Sequence, residues 1–117
     1  MKKYNAAAII GKDIQMYHKH LLPNYDVFFE QRYFAPGKDG LIVKVGKNLK
    51  CALSICEDMW DENYDVKPLQ HYKNKGVDLV VNISSSPFGK EKLRKRLDLI
   101  QQHSQDLAAT FVYVNQV

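Results

Sequence analysis

The stretch VDLVVNIS, Val77 to Ser84, is an almost continuous apolar run that follows a glycine and leads into a serine-rich segment. Such a run is typical of a strand that is buried on both faces of a parallel sheet. The next segment, KEKLRKRLDLIQQHSQDLAA (90–109), has the period of an amphipathic helix. Its predicted apolar stripe consists of Leu93, Leu97, Ile100 and Leu107. The chain then returns to a β-type run, TFVYVNQV, so this region predicts a strand, helix and strand with a parallel crossover.

The residues before this unit extend the same pattern. In VKPLQHYKNKG (66–76), Pro68 takes a typical first helical position and Gly76 a typical C-terminal cap, which predicts a second crossover helix. Two hairpins precede it: KYNAAAIIG and IQMYHKHLL, joined by GKD, and the two strands of GLIVKVGKNLKCALSIC. The aromatic-rich segment between the hairpins (23–37) has no clear period and predicts an ordered loop with a helical turn. The order of elements predicts an α/β protein.

Composition indicates one small globular domain. The chain has 117 residues, 45% of them hydrophobic and 26% charged. No run approaches the eighteen or so apolar residues that span a bilayer, and the N-terminal apolar stretch is too short for a signal peptide. We therefore expect a cytoplasmic protein without a membrane partner. The net charge of +4 is concentrated in KEKLRKR, which we interpret as the solvated face of a helix rather than a nucleic-acid site.

The two cysteines differ in their predicted roles. Cys51 and Cys56 fall in one apparent strand, where an odd spacing points them to opposite faces and prevents a disulfide between them. Cys51 is expected to be a small core residue. Cys56 stands at the carboxyl end of the strand, where α/β sheets usually place their sites, and a polar turn follows it. These features favour Cys56 as a nucleophile, with a packed cysteine as the alternative.

A thiolate at Cys56 would face two carboxylates, Glu57 and Asp58, so it would need a compensating cation or a base. His18 and His20 share one face of a strand, but no third ligand stands at a recognisable spacing, and we expect no metal site. Lys19 is predicted to point to the opposite face of this strand from His18 and His20. From the pattern alone, a solvated Lys19 is favoured over an inward one, because an inward lysine needs a carboxylate partner.

Three motifs together identify a family. KHLLPNYDVFFEQRYFAPG, ICEDMW and NISSSPFGKEKLR resemble the nitrilase (carbon–nitrogen hydrolase) superfamily, and within it the glutaminase domains of glutamine-dependent NAD+ synthetases. The resemblance covers nearly the whole chain. It implies part of a nitrilase-type αββα fold, an α+β sandwich in which a mixed sheet carries two helices on one side. It also implies that residues 1–117 are a partial hydrolase domain, and that the synthetase domain is absent.

The resemblance assigns site residues by motif. Cys56 would be the nucleophile, Lys19 the catalytic lysine and Glu30 the glutamate that supports this lysine. The backbone N–H of Glu57 would help to hold the oxyanion. The residues that would bind glutamine are Tyr25, Trp60, Ser84, Ser86 and Lys90. From the residues alone, aromatic packing is an equal alternative for Tyr25 and Trp60, and an ordinary turn and cap is favoured for the serines.

The resemblance also predicts what this chain lacks. The family's general-base glutamate lies well upstream of its lysine, whereas eighteen residues precede Lys19 here and none is glutamate. We expect residues 1–117 alone to be inactive, and an incomplete sandwich to expose apolar surface and form homo-oligomers. The implied partners are glutamine and a synthetase domain. That domain would use ATP and magnesium, while the hydrolase domain would need no cofactor. The alternatives are a stand-alone amidase of the superfamily and a non-catalytic binding or assembly module.

Overall fold

The N-terminal part of the chain forms a hairpin. The computed structural model describes residues 1–25, 28–87 and 89–116. Strands β1 (Ala6–Ile10) and β2 (Ile14–His18) pair antiparallel, and Ala7 lies opposite Tyr17. The GKD connection closes with the Gly11 N–H donating to the Asp13 carbonyl at 3.1 Å. The predicted hairpin is therefore confirmed.

A four-stranded mixed sheet forms the centre of the molecule. Its strands are β3 (Ile42–Val45), β4 (Leu49–Ile55), β5 (Leu79–Ser84) and β6 (Thr110–Asn115), in that spatial order. β3 and β4 are antiparallel, and Gly46 permits their tight turn because its φ is +65°. β4, β5 and β6 are parallel. The carboxyl ends of three neighbouring strands consequently lie at one edge of the sheet, which is where the candidate site lies.

One face of this sheet carries both crossover segments. Helix α1 (Lys90–Leu107) joins β5 to β6, and a short 3-10 helix, Pro68–Tyr72, lies in the connection from β4 to β5. Leu69 and Tyr72 of the short helix share a buried cluster with Val80 of β5 and Leu107 of α1. The predicted mixed sheet with helical segments on one side is therefore present.

The second helix is shorter than the sequence predicts. It ends because Lys73 adopts an extended conformation (φ −65°, ψ 135°), so Gly76 does not cap a helix. Tyr72 explains this end, since its hydroxyl donates to the Leu53 carbonyl and accepts the Leu41 N–H at 3.1 Å. These contacts fix Tyr72 to the sheet and outweigh the local helical pattern, which extends to Gly76.

The buried stripe of α1 also differs from the predicted one. Leu93 and Leu97 are 44% and 54% exposed, so their assignment to the core stripe is wrong. The residues that face the sheet include Arg96, His103 and Leu107. The guanidinium of Arg96 lies 4.9 Å from the centre of the Tyr113 ring, and its burial contradicts the interpretation of KEKLRKR as a wholly solvated face. The long aliphatic part of an arginine side chain can cover apolar surface while its guanidinium stays charged. A simple hydrophobic pattern therefore misses such a residue in the buried stripe.

The opposite face of the sheet is only half covered. Ala7 and Tyr17 of the hairpin pack on Val43, Leu53 and Ile55 of β3 and β4. Across β5 and β6 the same face leaves three apolar side chains exposed, namely Ile83, Val112 and Val114. In the described part of the chain, no helix has both the length and the apolar character needed to span a bilayer.

Candidate active site

Cys56 lies directly after β4, at the carboxyl edge of the sheet. The strand ends at Ile55, and Cys56 begins the 3-10 helix Cys56–Met59, so it does not belong to the strand as the sequence predicts. Its φ of +44° is a left-handed conformation that is uncommon for residues other than glycine. This turn tilts Cys56 towards the same cluster as Cys51, rather than to the opposite face. The sulfur-bearing side chain is partly exposed and lines a cavity of about 400 Å³.

Lys19 and Glu30 form a buried ion pair in the wall of this cavity. Lys19 Nζ lies 2.6 Å from Glu30 Oε1, and the two side chains are 2% and 16% exposed. Asn5 Nδ2 donates to the other carboxylate oxygen, Glu30 Oε2, at 3.3 Å. Lys19 lies just beyond the end of β2, and Glu30 begins the short 3-10 helix Glu30–Arg32. The solvated Lys19 favoured by the pattern alone is therefore wrong, because the carboxylate that permits burial comes from a distant loop.

A polar network supports the turn at Cys56 from β5. Asn82 is fully buried, and its Nδ2 donates to Ser54 Oγ at 2.8 Å and to the Cys56 carbonyl at 3.4 Å. The Ser84 hydroxyl donates to Asn82 Oδ1 at 2.7 Å, and Ser84 also lines the cavity. These bonds connect the ends of β4 and β5 beneath the thiol. Asn82 was not singled out from the sequence, although a polar residue inside an apolar strand is a usable signal.

The loop after β5 is held by β6. The Ser86 N–H donates to Asn115 Oδ1 at 2.9 Å, and Asn115 Nδ2 donates to the Ser86 carbonyl at 3.1 Å. Asn115 lines the cavity, whereas Ser86 is not among its lining residues. Lys90 is the first residue of α1 and is exposed. Of the three predicted residues in this region, Ser84 at the end of β5 lines the same cavity as Cys56, whereas Ser86 and Lys90 do not line it.

Tyr25, Glu57 and Trp60 line a second, larger cleft of about 970 Å³ between α1 and the loop that follows the Cys56 turn. The Glu57 carboxylate points to this side, where it accepts hydrogen bonds from the hydroxyl of Tyr25 and, at 3.4 Å, from that of Tyr64. Burial and the Glu57 carboxylate raise the pKa of Tyr64 to about 12, and the same two causes raise the pKa of Tyr25. The structure thus separates the predicted residues into two neighbouring groups that meet at Cys56 and Glu57.

Two further residues next to the site were not predicted as parts of it. Asp58 is fully buried, and this burial raises the pKa of its carboxyl, while hydrogen bonds from Tyr17, Leu21 and Ile55 act in the opposite direction. Tyr17 is 1% exposed and reaches Asp58 from β2. Sequence reasoning treated Asp58 only as a charge near the thiol. Its side-chain direction depends on tertiary contacts that the sequence does not display.

The two histidines of the first hairpin make separate contacts. His18 stacks on Tyr4 with ring centres 4.0 Å apart, and His20 Nδ1 lies 3.1 Å from the Tyr17 hydroxyl. Within residues 1–25, 28–87 and 89–116, no three His, Cys, Asp or Glu side chains are grouped closely enough to hold a metal ion.

Similarity to known proteins extends along the whole chain. The profile of the carbon–nitrogen hydrolase family matches residues 1–117. The glutamine-dependent NAD(+) synthetase of Thermotoga maritima is 42% identical over 119 residues, which cover 97% of this chain and 20% of that protein. The enzyme of the same name from Synechocystis is 40% identical over 125 residues, covering 99% and 22%. The chain therefore spans about a fifth of the length of these relatives.

Solved structures show the same relationship. The glutamine-dependent NAD+ synthetase from Acinetobacter baumannii superposes with a TM-score of 0.84 at 33% identity, over 99% of this chain and 22% of that one. An amidase from Nesterenkonia sp. AN1 superposes with a TM-score of 0.66 at 18% identity, over 86% and 36%, and shares the fold. With the profile match and these relatives, the chain belongs to the carbon–nitrogen hydrolase family.

Proposed function

We propose that this chain is the part of a glutamine-dependent NAD+ synthetase that carries the nucleophile of its glutaminase site. The observation that carries the proposal is one cavity that is lined by Cys56, at the end of a central strand, and by the buried Lys19–Glu30 pair. A thiol can act as the nucleophile of acyl transfer from an amide, and an ammonium on the same cavity wall can stabilise the oxyanion that forms. The relatives from Thermotoga maritima and Synechocystis are named glutamine-dependent NAD(+) synthetases, which supports glutamine as the amide substrate.

The proposed first step forms a thioester. The Cys56 thiolate attacks the side-chain amide carbon of glutamine, and the carbonyl π electrons move to the oxygen. Lys19 and the Glu57 N–H then stabilise the resulting oxyanion. Glu30 holds the Lys19 ammonium in place through the 2.6 Å contact between Lys19 Nζ and Glu30 Oε1. Collapse of the tetrahedral intermediate breaks the C–N bond. Ammonia leaves after the general base returns the thiol proton to its nitrogen. Water then hydrolyses the thioester and releases glutamate.

A general base is needed to take the thiol proton and to return it to the leaving ammonia. Glu30 is the only carboxylate that lines the cavity within the described residues, and Lys19 already occupies one of its oxygens. We propose that the base comes from outside these residues. The isolated 117-residue chain should therefore release no ammonia from glutamine above the background rate, and Cys56-dependent turnover of the isolated chain would contradict this assignment.

The residues proposed to bind glutamine lie on both sides of Cys56. Ser84 is in the cavity wall, and Tyr25 and Trp60 line the adjoining cleft. Ser86 and Lys90 complete the proposed set from the loop and the start of α1. In the complete gene product, the ammonia would pass to a synthetase domain that uses ATP and magnesium. We further propose a cytoplasmic homo-oligomer that binds neither nucleic acid nor membrane.

The direct test is glutamine hydrolysis by the complete gene product that contains this sequence. Cys56→Ala should abolish ammonia release, whereas the matched control Cys51→Ala should retain it, because Cys51 packs in the core rather than in the cavity wall. Lys19→Met should lower kcat by roughly 100-fold or more, as expected for the loss of an oxyanion donor. Full activity of Cys56→Ala would refute the proposal.

The main alternative is a stand-alone amidase, supported by a 38% identical segment of 60 residues in an N-carbamoylputrescine amidase from Solanum lycopersicum. Glutamine-dependent NAD+ formation in the complete gene product favours the synthetase. Hydrolysis of simple amides without any NAD+ formation favours the amidase. A non-catalytic binding or assembly module would show neither reaction.

A further inference from the structure

We propose that Asp58, acting with Tyr17, is a positioning residue that sets the placement of Lys19 relative to Cys56. The inference rests on the proposed function, because it concerns the geometry of that same site. Asp58 is fully buried in the turn that Cys56 begins, and its side chain points away from the cavity. It acts on the reacting groups through the backbone on either side of them.

One carboxylate oxygen of Asp58 fixes the segment that carries Lys19. Oδ1 accepts the N–H of His20 at 3.0 Å and the N–H of Leu21 at 2.9 Å. These are the two residues that follow Lys19, beyond the end of β2 at His18. The Lys19 carbonyl accepts the N–H of Gly37, and its N–H donates to the Asn5 carbonyl, both at 2.8 Å. The backbone around Lys19 is therefore held by hydrogen bonds to Asn5, Gly37 and Asp58, just beyond the end of β2.

The other oxygen fixes the segment that carries Cys56. Oδ2 accepts the N–H of Ile55, the residue before the thiol, at 3.1 Å. It also accepts the hydroxyl of Tyr17 at 2.6 Å, and that hydroxyl lies 3.1 Å from His20 Nδ1. Since Cys56 is in the left-handed region, its turn needs tertiary contacts to hold it. A single carboxylate thus bonds directly to the neighbours of both reacting residues.

Burial of a carboxylate is costly unless every lone pair finds a donor, and an apolar side chain would fill this space at lower cost. Asp58 accepts four hydrogen bonds, and three come from backbone N–H groups within two residues of Lys19 or Cys56. These hydrogen bonds therefore suit Asp58 to the alignment of two chain segments better than to the filling of core space. A displacement of about 1 Å between reacting groups can lower a rate by roughly 100-fold.

Two variants separate the parts of this arrangement. Asp58→Asn keeps the shape but replaces one acceptor oxygen with an NH2 group, which faces either the His20 and Leu21 donors or the Ile55 and Tyr17 donors. Tyr17→Phe removes only the hydroxyl and keeps the backbone bonds. The matched control is Asp78→Asn, since Asp78 Oδ2 accepts the Lys50 N–H at 2.8 Å from an exposed position outside the cavity.

In the complete gene product, we expect Asp58→Asn to lower kcat for glutamine hydrolysis by roughly 100-fold and Tyr17→Phe by roughly 10-fold. KM should stay within about threefold, because the proposed glutamine-binding residues lie elsewhere. Asp78→Asn should keep both constants. If Asp58→Asn does not fold, Tyr17→Phe decides the question. Unchanged kcat in a folded Asp58→Asn or Tyr17→Phe variant overturns the inference.

A second measurement does not depend on glutamine turnover. Acrylamide adds to a thiolate with negative charge developing on its amide oxygen, whereas iodoacetamide reacts by displacement of iodide and develops no such charge. Mass spectrometry should show that Asp58→Asn slows acrylamide addition at Cys56 about tenfold while the iodoacetamide rate changes less than twofold. Equal changes in both rates indicate a merely structural role and overturn the inference. If the wild-type complete gene product shows no Cys56-dependent glutaminase activity, the proposed function is refuted. The ratio of the acrylamide and iodoacetamide rates at Cys56 still decides the role of Asp58 in that case.

Discussion

The Lys19–Glu30 pair gives the sharpest prediction about stability. Lys19→Met removes the ammonium, Glu30→Gln removes the negative charge with little change of shape, and the double variant removes both. The Nζ–Oε1 distance is 2.6 Å, and the Lys19 side chain is 2% exposed. At an effective dielectric constant of about 20, the Coulomb attraction at this distance is about 6 kcal/mol. Desolvation of both groups opposes it, so we expect each single variant to lower the free energy of unfolding by about 3–5 kcal/mol.

The double variant distinguishes an ion pair from general packing. Each single variant leaves one buried charge without its partner, whereas the double variant leaves none. We therefore expect the double variant to be no less stable than either single one, with a coupling free energy of at least about 3–5 kcal/mol. Lys73→Met is the matched control. Lys73 pairs with Asp106 at 2.7 Å, but the two side chains are 45% and 32% exposed, so its loss should hardly move the urea midpoint.

Equilibrium unfolding in urea measures these differences. Trp60 is the only tryptophan and is half-buried, so its fluorescence reports the transition, and circular dichroism checks that both probes coincide. A cost below about 1 kcal/mol for both single variants, or additive effects in the double variant, would refute the reasoning. Either result would mean that solvent or another group compensates the charge that remains.

Three further predictions follow from the site and the open face of the sheet. Iodoacetamide should label Cys56 well before Cys51, since Cys51 is 6% exposed and burial raises its pKa; peptide mass spectrometry showing equal rates would contradict this. Glu57→Gln should lower the pKa of Tyr64 from about 12 towards 10, seen as tyrosinate absorbance that Tyr64→Phe removes. In the wild type, the stabilising contribution of this hydroxyl is complete below pH 10 and disappears as the pH rises through about 12. Val112→Lys should reduce self-association of the 117-residue chain in sedimentation, and an unchanged mass distribution would count against the exposed sheet face as its cause.

Local patterns predicted most of the strands, because each strand has its own turn chemistry or its own apolar run. The GKD and GKN turns identify both hairpins, and VDLVVNIS identifies the central parallel strand. The same reasoning was wrong about α1, where Arg96 and His103 occupy the buried stripe in place of Leu93 and Leu97. It also extended the Pro68–Tyr72 helix too far, since a tyrosine hydroxyl bound to the sheet is not a local signal.

The sequence by itself determined the order of elements, the position of Cys56 at a strand end and, through the motifs around Lys19, Glu30 and Cys56, the family. Only the tertiary structure decided that Lys19 is buried and that Asp58 bonds to the neighbours of both Lys19 and Cys56. The physical reason is the range of the interactions. Hydrophobic period and turn chemistry act over a few residues, whereas a buried charge depends on partners that are 11 residues away for Lys19 and up to 41 for Asp58.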